Sequence, residues 1–342
     1  EISECLVGSE MCIRDSCYRN KAQYPVSFDR QLKIGFFAPR SHRVVDCENC
    51  ILQPPIFADI VKIFRKFIIK NGITVYDSEK HTGLLRHIYL RLAEATGEVM
   101  VCAVINGEDL PHKNELIEKL TEIPSVKSIV LNINRDRTNV ILGKECVTVW
   151  GNDCIYDVLC GVKVRLSPLS FYQVNHDMAQ QLYEKAAEYA CLSGKETVLD
   201  MYCGTGTIGL SMAKKAKRII GAEIVPEAVL DAKRNALENG IENAEFICAD
   251  AGEAAQELSS RGIKPDVVLL DPPRKGCSEM LLAEIVKMSP ERIVYVSCDP
   301  STLARDCFRL KDLGYETKRL AAADLFPRTV HVESVALLTK QK

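Results

Sequence analysis

The sequence predicts an α/β chain in which a doubly wound, mostly parallel sheet is preceded by an α+β region, and three observations carry that expectation. The length, 342 residues, suits about two domains. Near Asn175 the hydrophobic period changes from short β-like runs to a regular alternation of strands and helices. Charge is also divided: Cys17 to Arg91 holds 13 basic and 6 acidic residues, while the whole chain carries a net charge of -2. A basic front on an acidic body fits a module that meets phosphate joined to one that does not, and it excludes a uniformly basic coat.

Residues 1–16, EISECLVGSEMCIRDS, have no initiator Met and no periodicity, and read as a non-native leader. Residues 17–166 follow as an α+β region with a mainly antiparallel sheet. Its strands are KAQYPVSF, LKIGFFAP, GITVYD, RHIYLRLA, EVMVCAVI, SIVLNIN, NVILGKECVTVW and GVKVRLSP. One helix opens after Pro54 and Pro55, with Ile60, Ile63, Phe64 and Phe67 at three-to-four spacing and Lys62, Arg65, Lys66 and Lys70 between them; another covers about His112 to Thr121. The basic residues Arg40, Arg43, Lys62, Arg65 and Lys66 are expected to contact phosphate rather than bases.

Residues 167–342 form the second domain. Asn175 caps a helix that carries Met178, Leu182, Ala186 and Tyr189. The strands TVLDMY, RIIGAE, AEFICAD, DVVLLDPP, RIVYVSCD and VESVALL follow, separated by helices near 207–216, 226–239, 251–259, 278–288 and 302–313. Strands so apolar, each followed by a helix, predict a parallel sheet covered on both faces.

Fifteen cysteines, about 4% of the chain, are far fewer than the ~8–10% of secreted disulfide scaffolds. No apolar run approaches the ~18 residues of a membrane span. A reduced, soluble, cytoplasmic protein without a membrane or obligate protein partner is expected.

Asp200-Met-Tyr-Cys-Gly204-Thr-Gly206-Thr-Ile-Gly209 places G-x-G-x-x-G between a strand and a helix, and Glu223 ends the next strand. A dinucleotide fits the glycines. A carboxylate just before them opposes a pyrophosphate, however, and suits the sulfonium and ammonium of S-adenosylmethionine. Glu223 can take ribose hydroxyls under either ligand, and Asp250 offers an acceptor to an adenine amino group. The bland alternative is a tight turn with strand-end acids.

Asp271-Pro-Pro-Arg274-Lys-Gly276 ends the fourth strand, and Val-Ser-Cys298-Asp-Pro300 ends the fifth, at the carboxyl rim where such sheets bind ligands. Arg274 stands where amino-methylating enzymes with a D-P-P-Y/F motif have an aromatic ring. A thiol is needed when the carbon to be methylated is a weak nucleophile, as pyrimidine C5 is: addition at C6 turns it into an enolate. The adduct must then lose its C5 proton, and Phe326-Pro-Arg-Thr-Val-His331-Val-Glu333-Ser offers a Glu and a His for that. Buried inert cysteines and solvated carboxylates are the commoner fates of these residue types.

The motifs SFYQVN (170–175), DMYCGTGTIGL, GAE, DPPRKG, VSCDPSTLARD and FPRTVHVES, in that order, resemble the bacterial RNA uracil-5 methyltransferases, in particular the 23S rRNA (uracil-5-)-methyltransferases. YRNKAQYPV and GFFAPRSHRVVDCENC are similar to that family's central domain. The resemblance spans about Tyr18 to Leu338 and implies a Rossmann-like methyltransferase domain behind an RNA-binding region, S-adenosyl-L-methionine as cofactor, and RNA, in particular 23S rRNA, as partner. It implies Cys298 as nucleophile and Glu333 as the base that takes the C5 proton. It also implies a donor site lined by Gln173, Tyr202, Gly204, Gly206, Thr207, Glu223, Asp250 and Asp271.

Thr207 and Asp299 replace the family's common Asn at each position without removing a reacting group. Members usually begin with a β-barrel, and many hold a 4Fe-4S cluster. Here only Cys50 resembles one of its ligands, so the chain reads as N-terminally truncated and no cluster or other metal is expected. A tRNA uracil methyltransferase, an RNA cytosine C5 methyltransferase and an inactive RNA-binding remnant are the competing readings.

Overall fold

The computed structural model describes residues 15–341, so all but the last two positions of the expected leader lie outside the described residues. The chain divides into two compact units, and each is described by itself. The front unit comprises Asp15–Val158 and Arg165–Val174; the rear unit comprises Leu159–Val164 and the described residues from Asn175 on. The expected domain boundary at 166/167 falls inside the stretch where the chain alternates between units.

The front unit is built on a seven-stranded sheet. Its strands are β1 (Lys21–Phe28), β2 (Leu32–Phe37), β3 (Val44–Asp46), then, after helix α1 (Pro55–Asn71), β4 (Leu85–Leu92), β5 (Val99–Ile105), and, after helix α2 (Lys113–Thr121), β6 (Val126–Ile133) and β7 (Glu145–Gly151). The order is β3-β2-β1-β4-β5-β6-β7, antiparallel except between β5 and β6, where α2 supplies the crossover. Pro55 opens α1 because a first-turn residue needs no N–H donor, and Gly72 ends it in a left-handed conformation at φ 60°. The apolar stripe Phe57, Ile60, Val61, Phe64, Phe67 and Ile68 packs on Tyr24, Val26, Ile34, Ile88 and Leu90 of the sheet.

One expected strand of this unit is not a strand, and the one expected over NVILGKECVTVW begins only at Glu145. In GITVYD, Val75 and Asp77 make only isolated bridges, because the Asp77 carboxylate accepts from the Glu79 and Lys80 N–H groups and turns the chain at once. NVILGK is a loop: the Asn134 amide donates to the Val140 and Ile141 carbonyls, and Asn132 donates to that of Gly143. Strands β8 (Ile155–Leu159) and β9 (Val162–Leu166) pair as a two-stranded sheet, and the chain changes unit within them.

The rear unit opens with α3 (His176–Ala190), whose N-cap Asn175 accepts from the Met178 N–H while its own amide donates to the Leu325 carbonyl. Then come β10 (Thr197–Met201), α4 (Thr207–Met212), β11 (Arg218–Glu223), α5 (Pro226–Glu238), β12 (Ala244–Cys248), α6 (Ala251–Ser260), β13 (Val267–Leu270), α7 (Glu279–Met288), β14 (Arg292–Ser297), α8 (Pro300–Asp312), β15 (Tyr315–Ala323) and β16 (Glu333–Lys340). The sheet order is β12-β11-β10-β13-β14-β16-β15. Five parallel strands are thus continued by β16, which runs antiparallel between β14 and β15. The reversal of β16 brings its first residues to the carboxyl ends of the parallel strands. Helices lie on both faces, and the core of one face joins Leu199, Met201, Val268 and Leu270 to Leu281, Leu282 and Leu258.

Candidate active site

The carboxyl ends of the rear unit's parallel strands hold all but one of the expected site residues. The turn after β10 is a glycine loop that folds back under its own strand. Tyr202, Gly204 and Gly206 all take left-handed backbone angles, at φ 67°, 55° and 81°. At Gly206 an added Cβ would lie 3.1 Å from the Phe246 ring and 3.2 Å from Ala232, whereas above Gly204 the space is open. From below, Asn235 of α5 donates to the Thr205 carbonyl at 3.0 Å. Thr207, the first residue of α4, faces the Thr205 hydroxyl at 3.1 Å.

Glu223, at the end of β11, accepts from the Gly204 N–H at 3.1 Å and the Val225 N–H at 2.9 Å. Asp250 caps α6 by accepting from the Gly252 N–H at 2.8 Å. Asp271 follows β13. These three carboxylates stand at the ends of three strands, and none is ion-paired among the described residues. Glu223 and Asp250 make the rim negative, which repels a pyrophosphate and suits a ligand with net positive charge. Open space over Gly204, spare carboxylate lone pairs beside it and the half-buried Tyr202 fit an S-adenosylmethionine-sized donor.

Asp200, whose carboxylate was expected to face that ligand, does not do so. It is 1% exposed and turned under the loop, where it accepts from the Gly209 N–H at 3.0 Å. The strand pleat explains this: Leu199 and Met201 point into the core of one face, so Asp200 points at α4 on the other. Burial pushes its carboxyl up to about 7. Gln173 belongs to the front unit, where its carbonyl accepts from the Asn20 amide at 3.0 Å.

Past Ser297 and Ser334, the last pair of the β14–β16 ladder, stand Cys298 and Glu333, the latter still paired with Ala323 of β15. Glu333 is 5% exposed, and its carboxylate has no hydrogen-bond or ion-pair partner among the described residues. Burial raises its pKa to about 7, and the Arg274 guanidinium pulls the other way. The half-buried Cys298 thiol is pushed up by burial, then by Glu333 and Asp271, with Arg274 again opposing. Asp271 itself is raised to about 8, by burial first and then by the Glu333 and Asp200 charges. One thiol, one unbonded buried carboxylate and one cation thus act on each other at the sheet's rim. Asp299 accepts from the Ser301 and Thr302 N–H groups and so caps α8, a role that Asn fills equally well.

His331, the rival base, lies before β16 begins, and its ring nitrogens are 3.4 Å from Arg274 Nη2.

Sequence reasoning assigned no role to two residues here. Arg274 was noted only for the aromatic ring it replaces. Asp306 of α8 is fully buried; its Oδ2 accepts from the Cys277 N–H at 2.8 Å and the Tyr295 hydroxyl at 2.7 Å, and its Oδ1 from Arg305 and Arg309. Arg305 in turn donates to the Lys275 carbonyl at 2.8 Å. The signal was present, since Leu303, Asp306 and Leu310 share the helix's apolar spacing and one of them is an acid.

The sequence profile of the family described as tRNA (Uracil-5-)-methyltransferase matches residues 161–341. An uncharacterised RNA methyltransferase of Clostridium tetani is 48% identical over 324 residues, which are 94% of this chain and 70% of that protein. One of Halalkalibacterium halodurans is 49% identical over 324 residues, with the same coverage. The crystal structure of Pyrococcus abyssi tRNA (uracil-54, C5)-methyltransferase in complex with S-adenosyl-L-homocysteine superimposes with a TM-score of 0.81 at 31% identity, covering 95% of this chain and 77% of that one. Among the described residues, no group of three or more His, Cys, Asp or Glu side chains is gathered to hold a metal, and no helix is long and apolar enough to cross a membrane.

Proposed function

The chain belongs to the tRNA (uracil-5-)-methyltransferase family, and from that premise we propose that it moves a methyl group from S-adenosyl-L-methionine to C5 of an RNA uracil through a covalent adduct on Cys298. The observation that carries the reading is the placement of Cys298 and Glu333 side by side at the rim of the sheet, beside Arg274 and next to a glycine loop with unpaired acids. The donor supplies an electrophilic methyl on a sulfonium, where no carboxylate of the rim need change its protonation.

In this reading Glu223 and Asp250 bind the nucleoside hydroxyls and the adenine amine. Tyr202, Gly204, Gly206, Thr207 and Asp271 shape and charge the pocket. Cys298, its proton lost to solvent, bonds as thiolate to C6 while the C5–C6 π pair becomes an enolate; C5 then takes the methyl as its bond to the sulfonium breaks and S-adenosyl-L-homocysteine leaves. Glu333 then takes the C5 proton, the C5–C6 double bond re-forms, and Cys298 leaves as thiolate. Arg274 favours the anionic forms of both groups. The base must leave its stack to reach Cys298, with the basic front unit holding the flanking RNA.

As target we propose 23S rRNA, on the motif resemblance. The tRNA specificity in the name of the Pyrococcus abyssi structure favours the alternative. Mass mapping of 23S rRNA and tRNA from a strain lacking the gene decides: loss of a methyluracil in 23S rRNA supports the first reading, and loss confined to tRNA overturns it. Cys298→Ala should abolish methyl transfer while binding S-adenosylmethionine as the parent does; turnover above background contradicts the covalent route.

A further inference from the structure

Cationic side chains on the front unit fall into two classes. Those on the outer face of α1 are largely compensated: Arg65 pairs with Asp46 at 2.6 Å and donates to the Leu32 carbonyl, Lys62 pairs with Asp59, and Lys70 pairs with Glu115 at 2.7 Å. Lys62 and Arg65, both expected to contact phosphate, are thus already paired with carboxylates of the chain.

The second class lies where β1 begins. Lys21 of β1 stands directly opposite Arg91 of β4, a cross-strand position at which two like charges repel. Arg19, two residues earlier, adds a third charge that acts on Lys21. Arg91 is buried; its guanidinium donates to the Ser167 and Ser170 carbonyls at 3.0 and 2.7 Å, neutral groups that orient the charge without cancelling it. Among the described residues, no carboxylate pairs with any of the three. Burial, then Arg91, then Arg19 bring the Lys21 ammonium down to about 8, which is the direction of a cation whose counter-charge is missing. The cluster adjoins the Ser167–Val174 segment, since Asn20 donates through its backbone to the Val174 carbonyl and through its amide to that of Gln173.

We propose that Arg19, Lys21 and Arg91 form a phosphate subsite that takes one phosphodiester of the single-stranded RNA chain. Arg91, locked by two carbonyls, sets the field, while the half-buried Arg19 and Lys21 make the contacts. The incoming phosphate relieves the repulsion across β1 and β4. This inference rests on the RNA reading above and adds which residues grip the backbone.

The test measures binding of a fluorescent single-stranded oligouridylate to the 342-residue chain over a series of salt concentrations. Lys21→Met should weaken binding several-fold at low salt and flatten the log K against log salt slope by about 0.7, the loss of one single-strand phosphate contact. Arg19→Gln should do the same and serves if the first variant folds poorly, while Lys21→Arg should keep the parental slope. Neither charge-removing variant should melt below the parent, because each relieves repulsion. Unchanged slopes in Lys21→Met and Arg19→Gln, with RNA methylation intact, overturn the subsite alone. A parent chain that neither binds nor methylates RNA overturns the functional reading and the subsite together. Protection of Lys21 from an amine-reactive label by inorganic phosphate as strongly as by oligouridylate would assign the site to a free anion and overturn the RNA assignment.

Discussion

At Cys298 and Glu333 burial holds both groups protonated to higher pH than usual, and Arg274 is the counterweight. As the proposed base, Glu333 would act only when ionised, so kcat should climb with pH through an apparent pKa of about 7. Arg274→Gln removes a charge that lowers both groups, so that limb should move to higher pH; a shift to lower pH contradicts the assignment. Asp200 supplies a different pH signature. Its carboxyl sits at about 7 in the fold against an ordinary 3.8, so the folded chain binds the proton more tightly, and stability present at low pH is lost as pH rises through 7. Asp200→Asn keeps an acceptor for the Gly209 N–H and removes the ionisation. Its melting temperature should therefore gain on the parent as pH rises from about 3.8 to about 7, as calorimetry can check. The position of the proposed pair was legible because a thiol follows one strand and a carboxylate opens another in recognisable motifs. The burial of Asp200 was not read, although the period-two pleat between Leu199 and Met201 contained it.

The element that aligns these residues is α8. Through Asp306 and Arg305 it holds the Lys275–Cys277 turn against Tyr295 of β14, and so sets the loop carrying Arg274 relative to Cys298. Gly276, at φ 72°, lies so close to this anchor that an added Cβ would meet Arg305 and Asp306 at 2.4 and 2.5 Å. Asp306→Ala strands a buried hydroxyl and a buried N–H and should cost roughly 3 kcal/mol of stability, with kcat falling more than donor affinity. Denaturant melts and a kcat-to-Kd comparison on Asp306→Ala and Asp306→Asn check this, with partial recovery expected for Asn. Helices were legible from apolar spacing and caps, Asn175 and Pro55 above all. β15 was not, because an edge strand with exposed Glu316, Thr317, Lys318 and Arg319 and a register shift shows no alternation.

On the scale of the whole chain, the change of period near Asn175 coincides with the start of the rear unit's main segment, since each unit closes its own apolar core and each core imposes its own period. The return of Arg165–Val174 to the front unit was not legible: it depends on Arg91 binding the Ser167 and Ser170 carbonyls and on the Tyr172 hydroxyl donating to Asp157, long-range bonds that leave no local pattern. With S-adenosyl-L-homocysteine at about a hundredfold its Kd, the linkage is worth about 2.7 kcal/mol. Hydrogen exchange should then slow at residues 203–209, 223–225 and 249–252 and stay unchanged in the strands Leu85–Leu92 and Val99–Ile105. Protection confined to the front unit would contradict the donor assignment.

Covalent chemistry at Cys298 with Glu333 as the proton acceptor is tested most directly by trapping. Addition and methyl transfer precede removal of the C5 proton, so Glu333→Gln should still complete both and then stall. Incubated with methyl-labelled donor and substrate RNA, the Glu333→Gln protein should run on denaturing gels as a labelled protein–RNA band that Cys298→Ala abolishes. A labelled band from His331→Ala and none from Glu333→Gln would contradict the account.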